Sequence, residues 1–176
     1  MKGKSFETAL SAVSAALAVV FLCVGAYVPV FDLTAYMLSS VALMLPLAKK
    51  FYAGGFLSYL AACILTFFIS GGNFVFLLPF AVFFGLHAFV NGMISKYNVN
   101  KYAALVFKII WFDLSLILMY HFTELFITDN EIVKKYIIDN IYIAIPLIGS
   151  AFFIFYDYFI VKAQKVVTMF VTKYKK

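Results

Sequence analysis

The sequence predicts an all-α integral membrane protein of six transmembrane helices with both ends on the cytoplasmic side. Three observations lead there. First, 65% of the 176 residues are hydrophobic and the mean hydropathy is +1.02. A soluble chain of this size has too little interior to bury so much apolar surface, so the bilayer has to act as solvent. Second, apolar runs fill the chain almost end to end, most of them near the roughly 20 residues that a helix needs to cross about 30 Å of hydrocarbon. Third, all 14 cationic residues are Lys, and they fall on one side. Lys2 and Lys4, Lys49 and Lys50, Lys96 and Lys101, and Lys162, Lys165, Lys173, Lys175 and Lys176 occupy alternate gaps between the runs. The other side holds only Lys134 and Lys135, and Lys108 lies inside a run. The positive-inside rule turns that asymmetry into the stated topology.

The expected spans are 6–28, 33–48, 51–70, 74–94, 102–127 and 137–161, followed by a basic amphipathic extension, 162–176, within a single membrane domain. The first follows Lys2 and Lys4 and is read as a retained helix, because its run is longer than the core of a secretory signal and has no small-x-small cleavage site. Pro29 closes it, and Val30, Phe31 and Asp32 turn outside. The second span is short, with Pro46 near its inner end. The third ends at Ser70-Gly71-Gly72-Asn73, a turn with strong breakers. The fourth carries Pro79 early, and Ser95 to Asn100 make a polar turn. The fifth leads to Thr128–Lys135, the one markedly charged outer loop. The sixth begins near Ile137 and continues toward the carboxyl end, where Val166, Val167, Phe170 and Val171 are set against Lys165, Lys173, Lys175 and Lys176, a pattern that suits the membrane interface.

Charge and motif content exclude several classes. The net charge of +6 sits where anionic headgroups would meet it. No basic patch interleaved with aromatics suggests nucleic acid. Cys23 and Cys63 are far apart and form no C-x-x-C, so both are expected to be buried apolar residues. No H-E-x-x-H, G-x-S-x-G or Cys/His/Asp cluster with metal spacing is present, so neither an enzyme nor a metal or other cofactor is expected. Lys without Arg, beside abundant Ile, Phe, Tyr and Asn, points to an AT-rich bacterial genome and a bacterial plasma membrane.

Small residues mark the first helix. Thr8, Ala12 and Ala16 recur every four residues, with Ala9, Ser11, Ala15 and Ala18 nearby. Such a row lets another helix approach closely in lipid. It serves either this protein's own helices or a different membrane protein.

A six-helix chain of this length with an A-x-x-x-A face at the start of helix one resembles the substrate-binding (S) components of energy-coupling factor transporters. Further motifs carry the likeness: Val28-Pro29-Val30-Phe31-Asp32 before a short span, Lys49-Lys50-Phe51-Tyr52-Ala53-Gly54-Gly55-Phe56, Ser70-Gly71-Gly72-Asn73-Phe74, and Leu78-Pro79-Phe80 through Gly85-Leu86. It covers about residues 8 to 94, and the last third matches only in helix count and polarity. The resemblance implies a vitamin-like small molecule bound from outside. It also implies docking through helix one onto a membrane coupling subunit that carries two cytosolic ATPases, whose hydrolysis makes the binding protein topple and release its ligand inside. Ala12 and Ala16 would be docking residues, with Thr8 in place of a first small residue. The chain has no G-x-x-x-x-G-K-[ST] of its own, as that division of labour requires.

Polar residues at membrane depth are functional candidates. Asp32, Asn73, Tyr120, His121, Glu124, Asp139, Asn140 and Tyr142 lie in the outer third. His121 and Glu124 share a face, and Asn140 and Tyr142 start the next span at the same level. With Phe74 and Phe76 they can line an outward pocket, rings stacking on a flat ligand and polar groups fixing its edge. Deeper, His87 and Asn91 share a face of span four, and Asp113 lies near the middle of span five with Trp111 nearby. His87 and Asp113 form a candidate pair, either structural or a proton relay. Lys108 can snorkel inward or pair with Asp157. Two other functions remain open on the residues alone: a structural scaffold of cell-envelope machinery, and a stand-alone proton-coupled carrier.

Overall fold

A computed structural model describes residues 2–123 and 140–173. Glu124, Asp139, the charged loop 128–135, Lys175 and Lys176 lie outside them. Every regular element among the described residues is helical and none is a strand, as apolar sequence without a water-exposed backbone demands: in lipid each amide must be satisfied within its own segment. The elements are α1 (Lys2–Tyr27), a 3-10 turn (Pro29–Phe31), α2 (Asp32–Ala42), α3 (Met44–Ala48), α4 (Tyr52–Ile69), α5 (Phe74–Pro79), a π turn (Phe80–Phe84), α6 (Gly85–Lys96), α7 (Lys101–Thr123), α8 (Ile141–Ala144), a second π turn (Ile145–Gly149) and α9 (Ser150–Lys173).

Among the described residues five runs are long and apolar enough to cross a membrane: Lys4–Tyr27, Tyr52–Ile69, Phe74–Lys96, Lys101–Phe122 and Ile141–Lys173. The chain is therefore an all-α protein with the helices of a multi-pass membrane protein. Asp32–Ala48 is apolar but shorter, as its sequence suggests. The last run differs most from its expected bounds: α9 carries straight on through Val161 to Lys173, so the basic extension is the end of the same helix.

The breakers act as expected, with one addition. Gly71 and Gly72 both have positive φ, +69° and +83°, which the turn after α4 requires. Asn73 then accepts the Phe76 amide at 3.0 Å and caps α5. Pro79 ends α5 and the π turn follows it. The addition is Pro146, at the start of the second π turn. A proline there has no amide hydrogen for the carbonyl four residues back, so the helix widens locally.

The chain divides into two compact units, Met1–Asn98 with Ile160–Lys176, and Val99–Phe159. In the first, α1 packs on α2 and on α4. Its buried face is Ser14, Ala15, Ala18, Val19 and Leu22. Close approach is enforced at Gly25, where an added Cβ would stand 2.7 Å from the Cβ of Ala35, and at Gly54, where it would strike the Ser11 hydroxyl. Aromatic rings fill the space around α5 and its π turn: Tyr36 lies 5.2 Å from Phe76 and 5.3 Å from Phe84. In the second unit α7 packs against α8, the π turn and the start of α9, with Phe112 5.4 Å from Phe153.

Candidate functional site

Hydroxyl groups tie the first unit together, each donating to a backbone carbonyl of another helix. Ser14 reaches Ala42 at 2.8 Å, Ser39 reaches Ala18 at 3.0 Å, and Ser58 reaches Ser11 at 2.8 Å. Tyr36 donates to Phe76 and Tyr59 to Ala81, at 2.5 and 2.7 Å. Those two carbonyls flank Pro79, where the backbone of the fourth apolar run is interrupted. Neighbouring side chains thus satisfy the backbone that the break would otherwise leave bare in lipid. None of these hydroxyls stands among the sequence-predicted site residues. The available signal was Ser and Tyr recurring at bilayer depth in otherwise apolar runs.

The predicted docking residues Thr8, Ala12 and Ala16 are exposed. The neighbouring positions Ser14, Ala15 and Ala18 are buried. Of the two uses open to this row, packing against the chain's own helices is therefore carried by the adjacent face. Beside the row runs an open groove of about 340 Å³ between α1 and α4, bordered by Glu7, Thr8, Ser11 and Ala12 on one side and Ala53, Gly54 and Ser58 on the other. It owes its depth to small residues on both helices. It lies toward the Lys-bearing start of α1.

The predicted ligand residues divide between the units. Asp32, Asn73 and Phe76 belong to the first, and Tyr120, His121, Asn140 and Tyr142 to the second. Asp32 opens α2, and its Oδ1 is buried with no hydrogen-bond partner among the described residues. Asn73 is engaged as the cap of α5, and Phe76 is buried against Tyr36. In the second unit the structure brings His121 and Tyr142 together, Nε2 to hydroxyl, at 3.0 Å. Tyr120 packs edge-on against the His121 ring, and Asn140 precedes α8, its carbonyl accepting the amides of Ile143 and Ala144 at 2.9 Å. Two further buried hydroxyls, Ser40 and Thr66, have no hydrogen-bond partner among the described residues, and neither stood in the predicted set. Orphaned polar atoms in an apolar interior are uncommon enough to mark positions worth testing.

The deep polar residues also find neighbours within their own units. His87 is fully buried and stacks on Phe83, centroids 5.3 Å apart. Asp113 accepts a hydrogen bond from Ser150 at 3.0 Å. Lys108 and Asp157 form a direct salt bridge, both largely buried. Of the two fates open to Lys108, the ion pair is the one adopted. In the second unit the partners run 108 with 157, 113 with 150 and 121 with 142. Numbers rise on one helix as they fall on the other, which is the register of an antiparallel pair held by three polar rungs.

Among the described residues no group of three or more His, Cys, Asp or Glu is placed to hold a metal ion. No protein-family model matches this chain, and no curated protein and no solved structure shows significant similarity to it.

Proposed function

We propose that this chain is the binding subunit of an ATP-driven importer of the energy-coupling factor type. Six spans place both ends in the cytoplasm of a bacterial cell. It captures a small vitamin-like molecule outside. It docks through Thr8, Ala12 and Ala16 on a membrane coupling subunit served by two cytosolic ATPases, which supply the hydrolysis that this chain does not perform. The observation that carries the reading is the exposure of the Thr8-Ala12-Ala16 row while the adjoining face of α1 is consumed in packing. A surface of small residues left open to lipid gains most when a second helix closes on it, because dispersion over a close approach drives association there. The groove toward α4 extends that surface. Within the first unit, the orphaned polar atoms of Asp32 and Thr66, near the outer ends of α2 and α4, support a ligand in the outer half; within the second, the His121–Tyr142 pair is a separate candidate contact.

The test is co-purification with a coupling module, alongside mass spectrometry of small molecules retained by the purified chain. Ala12→Leu and Ala16→Leu are expected to abolish assembly while the isolated chain stays folded and keeps its ligand. His121→Ala is expected to weaken retention roughly tenfold, as loss of one polar anchor from a desolvated site costs about 1–3 kcal/mol. Unchanged assembly in both Leu variants would remove the docking claim. Assembly without any retained small molecule would favour the scaffold reading instead.

A further inference from the structure

The run Ile141–Lys173 contains 33 consecutive helical residues, the π turn Ile145–Gly149 included. At 1.5 Å per residue it is about 50 Å long. A hydrocarbon core of about 30 Å uses only some 20 of those residues. Counted from Ile141, that length is spent near Val161, and the next residue is Lys162. The remainder of α9 is amphipathic. Val166, Val167, Phe170 and Val171 fall on one half of the helix, Lys165, Thr168 and Thr172 on the other, and Lys162 and Lys173 along the boundary. The two Thr hydroxyls are satisfied by carbonyls one turn back, at 2.8 and 2.7 Å. Apolar surface is left open on this segment: Val166 is 44% exposed and Phe170 62% at the edge of the apolar half, and Met169, between Lys165 and Lys162 on the wheel, is 63% exposed. Between Asp157 and Lys173 there is no Asp or Glu.

We infer that Val161–Lys173 binds the anionic headgroups of the leaflet into which α9 emerges, with Val166, Met169 and Phe170 set at the acyl boundary and Lys162, Lys165 and Lys173 on the phosphates. Three features select this occupant. The segment starts where the hydrocarbon ends, so it is already beside the headgroups. Its exposed apolar residues share one side of the helix with the cations, Lys162 and Lys173 falling between Met169 and Val166, so rings and methyls can reach the acyl boundary while the long Lys side chains snorkel to the phosphates. Its charge is of one sign, which a negative lipid surface neutralises and a mixed-charge protein surface would not. A strongly tilted helix, or one that bends at the boundary, presents this same edge to the surface. That the leaflet is the cytoplasmic one rests on the proposed topology; the binding itself does not rest on the importer reading.

The experiment uses the full chain in nanodiscs of phosphatidylcholine alone or mixed with phosphatidylglycerol. The Phe170→Trp variant, in a Trp111→Phe background, reports its surroundings through emission wavelength and quenching by lipid brominated near the headgroup. The expected result is a blue-shifted, quenched indole in anionic discs that reverts when Lys162, Lys165 and Lys173 are changed to Gln. Each Lys near an anionic surface is worth roughly fivefold in partition, so the triple change removes about a hundredfold. A water-exposed indole in both discs would overturn the inference. So would quenching indifferent to lipid charge and to the Lys substitutions, or shielding without quenching, which would indicate a second copy or a protein partner. If Trp111→Phe compromises folding, two measurements replace it: the difference between Phe170→Trp and the parent chain, and the phosphatidylglycerol retained by parent and triple variant in native mass spectrometry. Equal retention by the two would count against it.

Discussion

The two units are held by different chemistry. Around α1, α2 and α4, cohesion comes from small residues and from hydroxyls that donate to backbone carbonyls. Between α7 and the α8–α9 run, it comes from side chain to side chain, through an ion pair, a carboxyl–hydroxyl bond and an imidazole–phenol bond. The difference follows from what each contact costs at membrane depth. A neutral hydroxyl costs less to bury than a charge and can meet a carbonyl at many registers, so it suits helices brought close by Gly and Ala. A buried charge is costly unless its partner is in place, so it tolerates one register and little else. The first unit is built for close packing, the second for a fixed alignment.

That contrast is sharpest at the ion pair. Asp157→Leu takes the carboxylate from buried Lys108 and is expected to destabilise the protein by about 3–5 kcal/mol. Lys108→Met combined with Asp157→Leu should recover most of that loss, since two apolar groups need no partner. Unfolding in mixed micelles measures both. A double variant as unstable as the single one would show that the pair does more than neutralise itself.

A smaller effect is expected in the first unit at Gly25. The Gly25→Val side chain would begin 2.7 Å from the Ala35 Cβ and 3.1 Å from the Phe76 ring. Overpacking of this kind costs about 1–3 kcal/mol. The same assay reads it, and a neutral outcome would mean that α1 and α2 can part without penalty.

The smallest effects separate the two kinds of polar contact. Tyr59→Phe removes one hydroxyl from the Ala81 carbonyl and is expected to cost about 0.6 kcal/mol, with an upper limit near 1.7. His121→Phe, at the exposed terminal rung, should change stability by no more than about 0.5 kcal/mol. A His121 variant more damaging than Tyr59→Phe would show that this rung is more than a minor stabilising contact.

Much of the helix layout was legible before the structure. Apolar run length placed the ends of the first four spans to within a few residues, while the last helix runs on to Lys173, well past the expected 161, and Gly71-Gly72-Asn73 marked a turn whose positive φ and cap were both found. Pro79 marked an interruption, and a π turn follows it. The site was less legible. Periodicity showed that Thr8, Ala12 and Ala16 share a face but could not say whether the chain itself would cover it. The sequence offers His121 and Tyr142 as candidates but does not show that they touch. Nothing in it singles out Ser40, Thr66, Tyr36 or Tyr59, because a hydroxyl's importance depends on what it faces.

By itself, then, the amino-acid sequence determined the solvent, the helical class and the approximate ends of most of the described elements. These depend on hydropathy, length and local backbone preference, all properties of neighbours along the chain. Only the tertiary structure decided which face of α1 stays open, which hydroxyl caps the carbonyls around Pro79, and that Lys108 meets Asp157. Those outcomes depend on the rotation of one helix against another. A rotation of half a turn exchanges buried for exposed faces while leaving every local property of the sequence unchanged.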